Sequence, residues 1–380
     1  MPRPRRIPLT GPLAAVLAGL LALGIGPVRA QIRIGQTAGL SGTVAGSVNE
    51  SMAGARLYLD AINRRGGVRG QQLKLVSLDD QFDPKLAAVN AKTLIDQGVI
   101  ALFLTRGTPH NQAILPLLAA AKIPLVGPST GAMLLHLPVN PWVFNVRATY
   151  QREAERAVRH LMQIGVTRIA IVQVADSFGE DAVVGALRGF GASAKPVVHD
   201  KYDRSKPDFK PIMPRIVAAE AQAVLFLGSG TAVVDGMKAL RAAGSRAQML
   251  TLSNNASSGF SKSLGEVARG VIVSQVLPAE RSLATPMVKE AHDLARAAGA
   301  GAPEITPALL EGFASAKVLV EGLQRAAAAH DLSRTGLQHA LETLDRFDLG
   351  GMELSYSATD HSGLDYADLA IIGVDGRFRR

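Results

Sequence analysis

Short apolar runs recur along the chain, and stretches with helical periodicity separate them. Most of these runs are continuously apolar rather than alternating, which is typical of parallel strands that are covered on both faces. The predicted strands are Ile32–Gln36, Leu73–Leu78, Ile100–Leu104, Ile123–Val126, Val143–Val146, Arg168–Val174, Ala223–Leu227, Met249–Leu252, Val271–Val276 and Leu369–Val374.

The helical stretches carry start and stop signals of their own. Asp83-Pro84 predicts a helix start, because an aspartate caps the free N–H groups and a proline fits the first turn. Gly98 and Gly165 end two of these patterns, as glycines commonly do. Repeated strand–helix units with short connections predict the α/β class, with parallel sheets flanked by helices.

The order of the units predicts two lobes. One series runs from Ile32 to about Val126, and a second begins at Arg168. The second series of strand–helix units is complete without the late helical patterns at Thr306–Arg325 and Ser333–Leu344. We therefore assign these two patterns to the first lobe. The predicted division is a signal peptide at 1–30, a first lobe at 31–148 plus 276–348, and a second lobe at 149–275 plus 349–380.

The first thirty residues have the pattern of an export signal. Arg3, Arg5 and Arg6 precede an apolar core at Leu13–Ile25, and small residues favour cleavage after Ala30. A proline soon after the arginine pair favours ordinary secretion over the twin-arginine route. The chain has no cysteine, so it cannot carry a lipid anchor on a cysteine. We predict a free periplasmic protein without direct membrane insertion.

The composition of the chain argues against several classes of function. The chain has 380 residues, of which 47% are hydrophobic and 19% charged, as expected for a compact globular protein. Loss of the four arginines of the signal lowers the net charge from +9 to +5, and the remaining basic residues are scattered. No nucleic-acid partner is therefore expected. The histidines are dispersed and no phosphate-binding loop is present, so neither a metal site nor a cofactor is predicted.

One motif raises an enzymatic alternative. Gly127–Gly131 reads G-x-S-x-G directly after a predicted strand, the pattern of a nucleophile elbow around Ser129. Asp345 or Asp348 with His361 would complete a triad. However, prolines interrupt the helix that should follow the elbow, and no oxyanion loop of the HGGG type lies upstream. The pattern favours a binding protein over a serine esterase.

Polar, glycine-rich loops follow the third and fourth predicted strands. They cover 105–111 and 127–131, and a helix begins in the first of them. In open α/β sheets, ligands bind at the carboxyl ends of the strands. Free N–H groups and hydroxyls there can hold a carboxylate. The open alternative is that Thr108 and Ser129 only cap helices.

Several motifs together resemble the periplasmic solute-binding proteins of the branched-chain amino acid type. They are IRIGQTAGLSG at 32–42, the glycine-rich segment 62–70, the acidic loop 78–84, and the segments 107–109, 168–172, 178–179 and 373–376. The resemblance implies two Rossmann-like lobes of the type I periplasmic binding fold, with a three-stranded hinge and a ligand cleft between them. It also implies delivery of a small molecule to the permease subunits of an ABC importer, without covalent chemistry. Nothing in the sequence requires more than a monomer.

The resemblance further implies ligand contacts from both lobes. The first-lobe loops would hold the carboxylate, Phe178 would cover the ligand, and Tyr150 is either a further wall or a packing residue at a helix start. The candidate ligand-binding residues are Arg106, Thr108, His110, Ser129, Thr130, Gly131, Tyr150, Asp176, Phe178, Ser229, Gly230, Ser253 and Asn254.

Two positions depart from the family pattern. The family has an acidic residue near position 253 that holds the ligand's ammonium group, whereas this chain has Ser253; Gly131 stands where a hydroxyl is usual. A buried cation without a countercharge is costly, so a plain α-amino acid is favoured no more than other small polar ligands, unless Asp176 substitutes instead of capping a helix. An amide, an aromatic or aliphatic carboxylate and another small polar compound stay open, and Arg106 favours an anion. A sensor of the same fold, coupled to a signalling protein, is a further alternative.

Overall fold

The computed structural model describes residues 31–192 and 194–380, together with Pro2. Apart from Pro2, the predicted export signal lies outside the described residues. The strands are β1 (31–38), β2 (72–79), β3 (101–103), β4 (125–126), β5 (143–144), β6 (169–174), β7 (198–202), β8 (223–227), β9 (248–251), β10 (272–275), β11 (347–348), β12 (353–354), β13 (368–372) and β14 (378–379). The α-helices are α1 (45–64), α2 (84–96), α3 (108–121), α4 (150–163), α5 (177–190), α6 (213–218), α7 (230–242), α8 (258–264), α9 (286–298), α10 (307–328) and α11 (334–342).

The first sheet has five parallel strands in the order β2-β1-β3-β4-β5. Ile34 of β1 lies opposite Leu75 of β2 and Ala101 of β3. Helices cover both faces: α2 and α3 contribute Leu94 and Ile114 to one core, and the other core includes side chains of α1, α9, α10 and α11. We call this sheet and its helices the first lobe.

The second sheet has seven strands in the order β14-β13-β10-β9-β8-β6-β7. The five strands from β10 to β7 are parallel, whereas β13 pairs antiparallel with both β10 and β14. Its core includes the apolar faces of α4 to α8. We call this sheet and its helices the second lobe.

The ends of all ten predicted strands lie within two residues of the ends of strands in the structure, and the predicted fold class is confirmed. The prediction missed β7, because its centre reads His199-Asp200-Lys201 and only the flanking Val198 and Tyr202 are buried. That pattern fits a strand at the edge of a sheet, where one side is open to water. Antiparallel β13 was not distinguished from its parallel neighbours, since an apolar run does not report direction.

The chain passes between the sheets three times: after β5, after β10 and before β13. Two of these crossings run side by side, because Asn145 N–H donates to the carbonyl of His361 and Leu364 N–H donates to that of Val146. The segment 349–364 differs from the predicted division. Leu354 and Tyr356 pack in the core of the first lobe, so the chain joins the second lobe only near β13.

Among the residues that the structure describes, no helix combines the length and the apolar character needed to cross a bilayer.

Candidate functional site

Loops from the two lobes meet at the carboxyl ends of their strands. The loops after β3 and β4 belong to the first lobe, and the 3₁₀ turn Ser253–Asn255 follows β9 in the second lobe. They are joined through one side chain, that of Arg106. Open α/β sheets place ligands at this edge, so the junction is the candidate site.

The Arg106 guanidinium is buried, with the residue only 4% exposed. Its Nη1 donates to Ser129 Oγ at 3.0 Å, and its Nη2 donates to the carbonyl of Asn254 at 2.6 Å and to Ser47 Oγ at 3.3 Å. Among the described residues, no carboxylate oxygen lies within 4.0 Å of this guanidinium. Burial lowers the pKa of Arg106, because desolvation disfavours the charged form. The Arg106 side chain therefore lies between the loops of the two lobes.

Ser129 connects Arg106 to a carboxylate that the motif analysis did not identify. Its Oγ donates to Glu311 Oε1 at 2.7 Å, although the two residues are 182 positions apart. A serine nucleophile would instead need a histidine at this hydroxyl. His361 lies elsewhere, with Nδ1 2.9 Å from the carbonyl of Val143 and its ring stacked on Phe144. The arrangement does not support the esterase alternative.

A second buried arginine lies where the chain first crosses between the lobes. Arg147 forms an ion pair with Glu153 in the first turn of α4, and its Nη2 also donates to Ser253 Oγ at 2.6 Å. Glu153 accepts the N–H of Ser253 at 2.9 Å and the hydroxyl of Ser274. Burial disfavours the charge of Arg147, but the nearby carboxylates outweigh it and raise its pKa. Position 253 therefore contacts a cation, where the family pattern has an acid.

Arg147 also approaches Glu311. Its Nη1 lies 3.7 Å from Glu311 Oε1 and has no hydrogen-bond partner among the residues that the structure describes. The sequence analysis missed Arg147, Glu153 and Glu311. The available signal was the placement of Arg147 directly after an apolar strand, where the chain crosses between the lobes.

The two predicted first-lobe loops contact each other. Thr108, the first residue of α3, has its Oγ1 2.8 Å from Thr130 Oγ1, and both side chains are buried. Gly131 is required by packing, because a Cβ there would lie 2.5 Å from the carbonyl oxygen of Ala148. A hydroxyl-bearing residue does not fit at this position, which explains the departure from the family pattern.

His110 is a buried neutral ring at the first-lobe side of the site. It is fully buried and stacks on Phe82 with ring centroids 4.4 Å apart. Among the described residues, neither ring nitrogen has a partner of good hydrogen-bond geometry. Burial lowers the pKa of His110 to about 4 and outweighs the nearby backbone of Phe82, which raises it. Arg204 of the second lobe reaches across, with its guanidinium carbon 5.0 Å from the centre of the Phe82 ring.

The second-lobe aromatic residues pack on each other. Phe178 and Tyr150 are each 3% exposed, and their ring centroids lie 4.6 Å apart within the second-lobe core. The guanidinium carbon of Arg147 lies 4.6 Å from the centre of the Tyr150 ring. Tyr150 was predicted to be either a wall of the ligand site or a packing residue at a helix start, and the structure shows the packing. The same ring also lies next to the charged groups of the site.

Asp176 acts as a helix cap. Its Oδ1 accepts the N–H of Phe178 at 2.9 Å at the start of α5, and its Oδ2 pairs with Arg204. Of the two alternatives for Asp176, capping is therefore the one present. Both of its carboxylate oxygens already have partners, so it does not stand free for an ammonium group.

The remaining second-lobe candidates lie in two neighbouring loops, after β8 and after β9. Asn254 Nδ2 donates to the carbonyl of Gly228 at 2.9 Å and to Ser229 Oγ at 3.0 Å. Gly230 begins α7 with a φ of 58° and faces the first lobe, where a Cβ would lie 2.0 Å from the carbonyl oxygen of Thr43. These residues thus hold the loops in place and define how closely the lobes approach.

Comparison with known proteins identifies the family. The family model described as "Periplasmic binding protein" matches residues 31–376. The chain belongs to this family. The family predicted from the sequence motifs is confirmed.

Several members of the periplasmic binding protein family are similar over most of their length. The Leu/Ile/Val-binding protein of Escherichia coli K12 is 23% identical over 69% of this chain and 72% of its own. The Leu/Ile/Val-binding protein BraC3 of Rhizobium johnstonii is 26% identical over 84% and 86%. A substrate-binding periplasmic protein from Ralstonia solanacearum is 31% identical, covers 92% of this chain and 99% of its own, and superposes with a TM-score of 0.84.

Proposed function

We propose that this periplasmic binding protein is the substrate-binding component of an ABC importer. It captures an amino acid or a related small polar or carboxylate compound between its lobes and delivers it to the permease subunits in the inner membrane. Capture proceeds by hinge closure, in which the ligand favours the closed state by contacting both lobes. The ligand leaves chemically unchanged.

One observation carries the proposal. The Arg106 guanidinium hydrogen-bonds Ser129 of its own lobe and the Asn254 carbonyl of the other lobe. A ligand that binds Arg106 would therefore lie where the two lobes meet. Three chain crossings provide the hinge for such a movement.

The proposal includes the cellular location, the oligomeric state and the division into lobes. The protein acts in the periplasm as a monomer, after cleavage of its signal following Ala30. The lobes move as units, the first including 31–148 and the second including 149–275, with 349–364 moving with the first lobe because its apolar side chains pack there.

Thermal denaturation in the presence of candidate ligands tests the proposal. A compound that binds only the folded protein stabilises it by about 2.7 kcal/mol at a concentration of 100 times its Kd. We expect a rise of several degrees in Tm for at least one class among amino acids, amides and organic acids, together with a smaller radius of gyration in solution scattering. If none of these classes raises Tm, the proposed function is wrong. Uptake of the bound compound by cells lacking the protein tests the delivery step separately.

A further inference from the structure

We infer that Phe82 of the first lobe and Arg204 of the second lobe form a latch that stabilises the closed arrangement of the lobes, whether or not a ligand is bound. The latch is the contact of the Arg204 guanidinium with the Phe82 ring, whose centre lies 5.0 Å from the guanidinium carbon. The inference rests on the hinge closure of the proposed function and adds a contact that regulates it.

The first step concerns the position of these residues in the fold. In the first sheet, β2 is at one edge and β5 at the other, and the chain crosses between the lobes after β5. In the second sheet, β7 is at the edge opposite to β13 and β14, and the chain crosses before β13. Phe82 follows β2 and Arg204 follows β7, so both lie on the side far from these crossings. An opening rotation about the crossings separates residues on that side by the largest distance, so a contact there opposes opening effectively.

The second step concerns the loop that carries Phe82. Gln81 and Phe82 both have a left-handed backbone, with φ of 52° and 61°, which residues other than glycine adopt only at a cost. The carboxylates of Asp79 and Asp80 fix this conformation. Their Oδ1 atoms accept the N–H groups of the residues two positions later, at 2.9 and 3.0 Å. Backbone strain that the surrounding structure holds in place is typical of functional positions.

The Phe82 ring is also held from its own side. It stacks on His110, with ring centroids 4.4 Å apart and an interplanar angle of 22°. Gly107 leaves room for this stack, since a Cβ there would lie 2.5 Å from His110 Nδ1 and 3.1 Å from Phe82 Cε2. Burial lowers the pKa of His110 to about 4, so the ring is neutral at pH 7 and does not repel the nearby guanidinium.

The third step concerns the orientation of Arg204. Its Nε pairs with Asp176, the residue that caps α5, and its side chain is 23% exposed. The ion pair therefore orients the guanidinium within the second lobe. A guanidinium within about 6 Å of the centre of an aromatic ring is attracted to it, and more strongly when water is partly excluded. The partners of Phe82 and Arg204 are all residues of the chain, so the latch does not depend on a ligand.

A contact that forms only when the lobes are together shifts the equilibrium towards the closed state. Loss of the latch should therefore lower the ratio of closed to open molecules. The expected decrease is about 3- to 10-fold, the range for one cation–π contact between partly exposed groups. The latch also slows release of a bound ligand, because the lobes have to separate before the ligand leaves.

Distances between two spin labels test the inference in the ligand-free protein. The chain has no cysteine, so Val89→Cys on α2 and Lys238→Cys on α7, both at exposed positions, place one label on each lobe. Double electron–electron resonance then distinguishes closed molecules, with the label separation found in the structure, from open ones. We expect a closed population in the otherwise unchanged protein. Phe82→Leu and Arg204→Gln should each lower the closed-to-open ratio about 3- to 10-fold.

A double-mutant cycle distinguishes a latch from two independent effects. Phe82→Leu and Arg204→Gln remove the same contact, so the double variant should be no more open than either single variant. Tyr58→Leu is the matched control, because it removes a cation–π contact with Lys317, at 5.7 Å, that lies within the first lobe. This variant should leave the closed-to-open ratio unchanged. Thermal denaturation of each variant checks that the fold is intact.

The outcomes separate the latch from the proposed function. If the ligand-free protein has no closed population, or if either single variant leaves the ratio unchanged, the inference is wrong. Additive effects in the double variant also contradict it, because the two residues would then act independently. If the variants behave as expected but no compound raises Tm, the latch stands and ligand capture is wrong. If compounds bind and the variants have no effect on the ratio, only the inference is wrong.

Discussion

At the scale of single residues, the site is a chain of buried groups of alternating charge. It runs from Arg106 through the Ser129 hydroxyl to Glu311, and from there through Arg147 to Glu153. Each charge has a partner of opposite sign in contact or one hydroxyl away, which is the condition under which buried charges are tolerated. Neutral buried groups lie next to these charged groups, and their protonation makes the stability of the folded protein depend on pH.

Two buried histidines predict loss of stability in acid. His110 and His136 are 0% and 3% exposed, and among the described residues their ring nitrogens have no partner of good hydrogen-bond geometry. Burial lowers each pKa to about 4. The unfolded chain takes up these protons near pH 6.5, so their contribution is complete above that pH and is lost as the pH falls towards 4. Each accounts for up to about 3 kcal/mol. The measurement is the free energy of unfolding by urea between pH 7 and pH 4.

Substitution isolates this effect from that of the acidic groups. Burial raises the pKa of Asp80 to about 6, so this carboxyl favours the folded state at low pH and opposes the histidines. His110→Leu and His136→Leu should each reduce the acid-induced loss of stability, whereas His339→Gln, at an exposed position, should follow the wild-type protein. Equal pH profiles for all variants would contradict the prediction.

The residue scale also shows what sequence reasoning could and could not find. Arg106 and Ser129 follow strands, so the rule that sites form at strand ends predicted them, whereas Ser253 and Asn254 were predicted from the family resemblance. Glu311 lies in a helix whose neighbours are nearly all buried, and it is 182 positions from its partner Ser129. Only the packing of the helix against the sheet brings it there. A single sequence contains no local signal for that contact.

At the scale of elements, the position of Glu311 depends on how closely α1 and α10 pack. Gly312, the next residue, faces α1, and a Cβ there would lie 1.7 Å from the carbonyl oxygen of Ser51. Gly54 makes the reciprocal approach, with a Cβ only 1.9 Å from the carbonyl oxygen of Leu309. The two glycines let the backbones come close enough for Glu311 and Ser47 to reach the same site.

Gly312→Ala should therefore destabilise the fold and disturb the site. The added methyl group has to push the helices apart, and overpacking of this kind costs about 1–3 kcal/mol. Thermal or urea denaturation measures the loss. Gly46→Ala is the control on α1, because its Cβ would make an ordinary contact at 3.5 Å. If Gly312→Ala is as stable as Gly46→Ala, the close packing of these helices is not required.

The elements themselves were largely predictable. Buried strands such as β6 and β8 read as apolar runs, and Asp83 caps α2 as predicted, with its Oδ1 2.7 Å from Lys85 N. The edge strand β7 and the antiparallel direction of β13 were not predictable, since neither edge position nor direction leaves an apolar signature. The prediction that α10 and α11 belong to the first lobe came from counting strand–helix units, without any information on contacts.

At the scale of the whole molecule, the lobes touch through backbone as well as side chains. Glu50 of α1 accepts N–H groups of Ser258 and Gly259 at the start of α8, and the Cβ position of Gly259 lies 3.2 Å from Gly46 Cα. Thr43 of the first lobe and Gly230 of the second lobe are also in close contact, because a Cβ on Gly230 would lie 2.0 Å from the carbonyl oxygen of Thr43. These contacts cross from one lobe to the other, so they form only when the lobes are together. Glycine at these positions sets how near the lobes can come.

Gly230→Ala should hold the lobes apart. Its Cβ would lie 2.0 Å from the carbonyl oxygen of Thr43, so the added methyl group opposes closure of the lobes. Ligand affinity should fall, because the ligand then has to stabilise a closed state that this contact destabilises. Solution scattering at saturating ligand should give a larger radius of gyration than for the wild-type protein. Gly244→Ala is the matched control, since it also has a positive φ, of 83°, but has no atom within 4 Å of its Cβ. Both variants carry the cost of a left-handed alanine, about 1–2 kcal/mol, so only the contact with Thr43 distinguishes them. If both variants close equally on ligand, the approach of Thr43 to Gly230 does not limit closure.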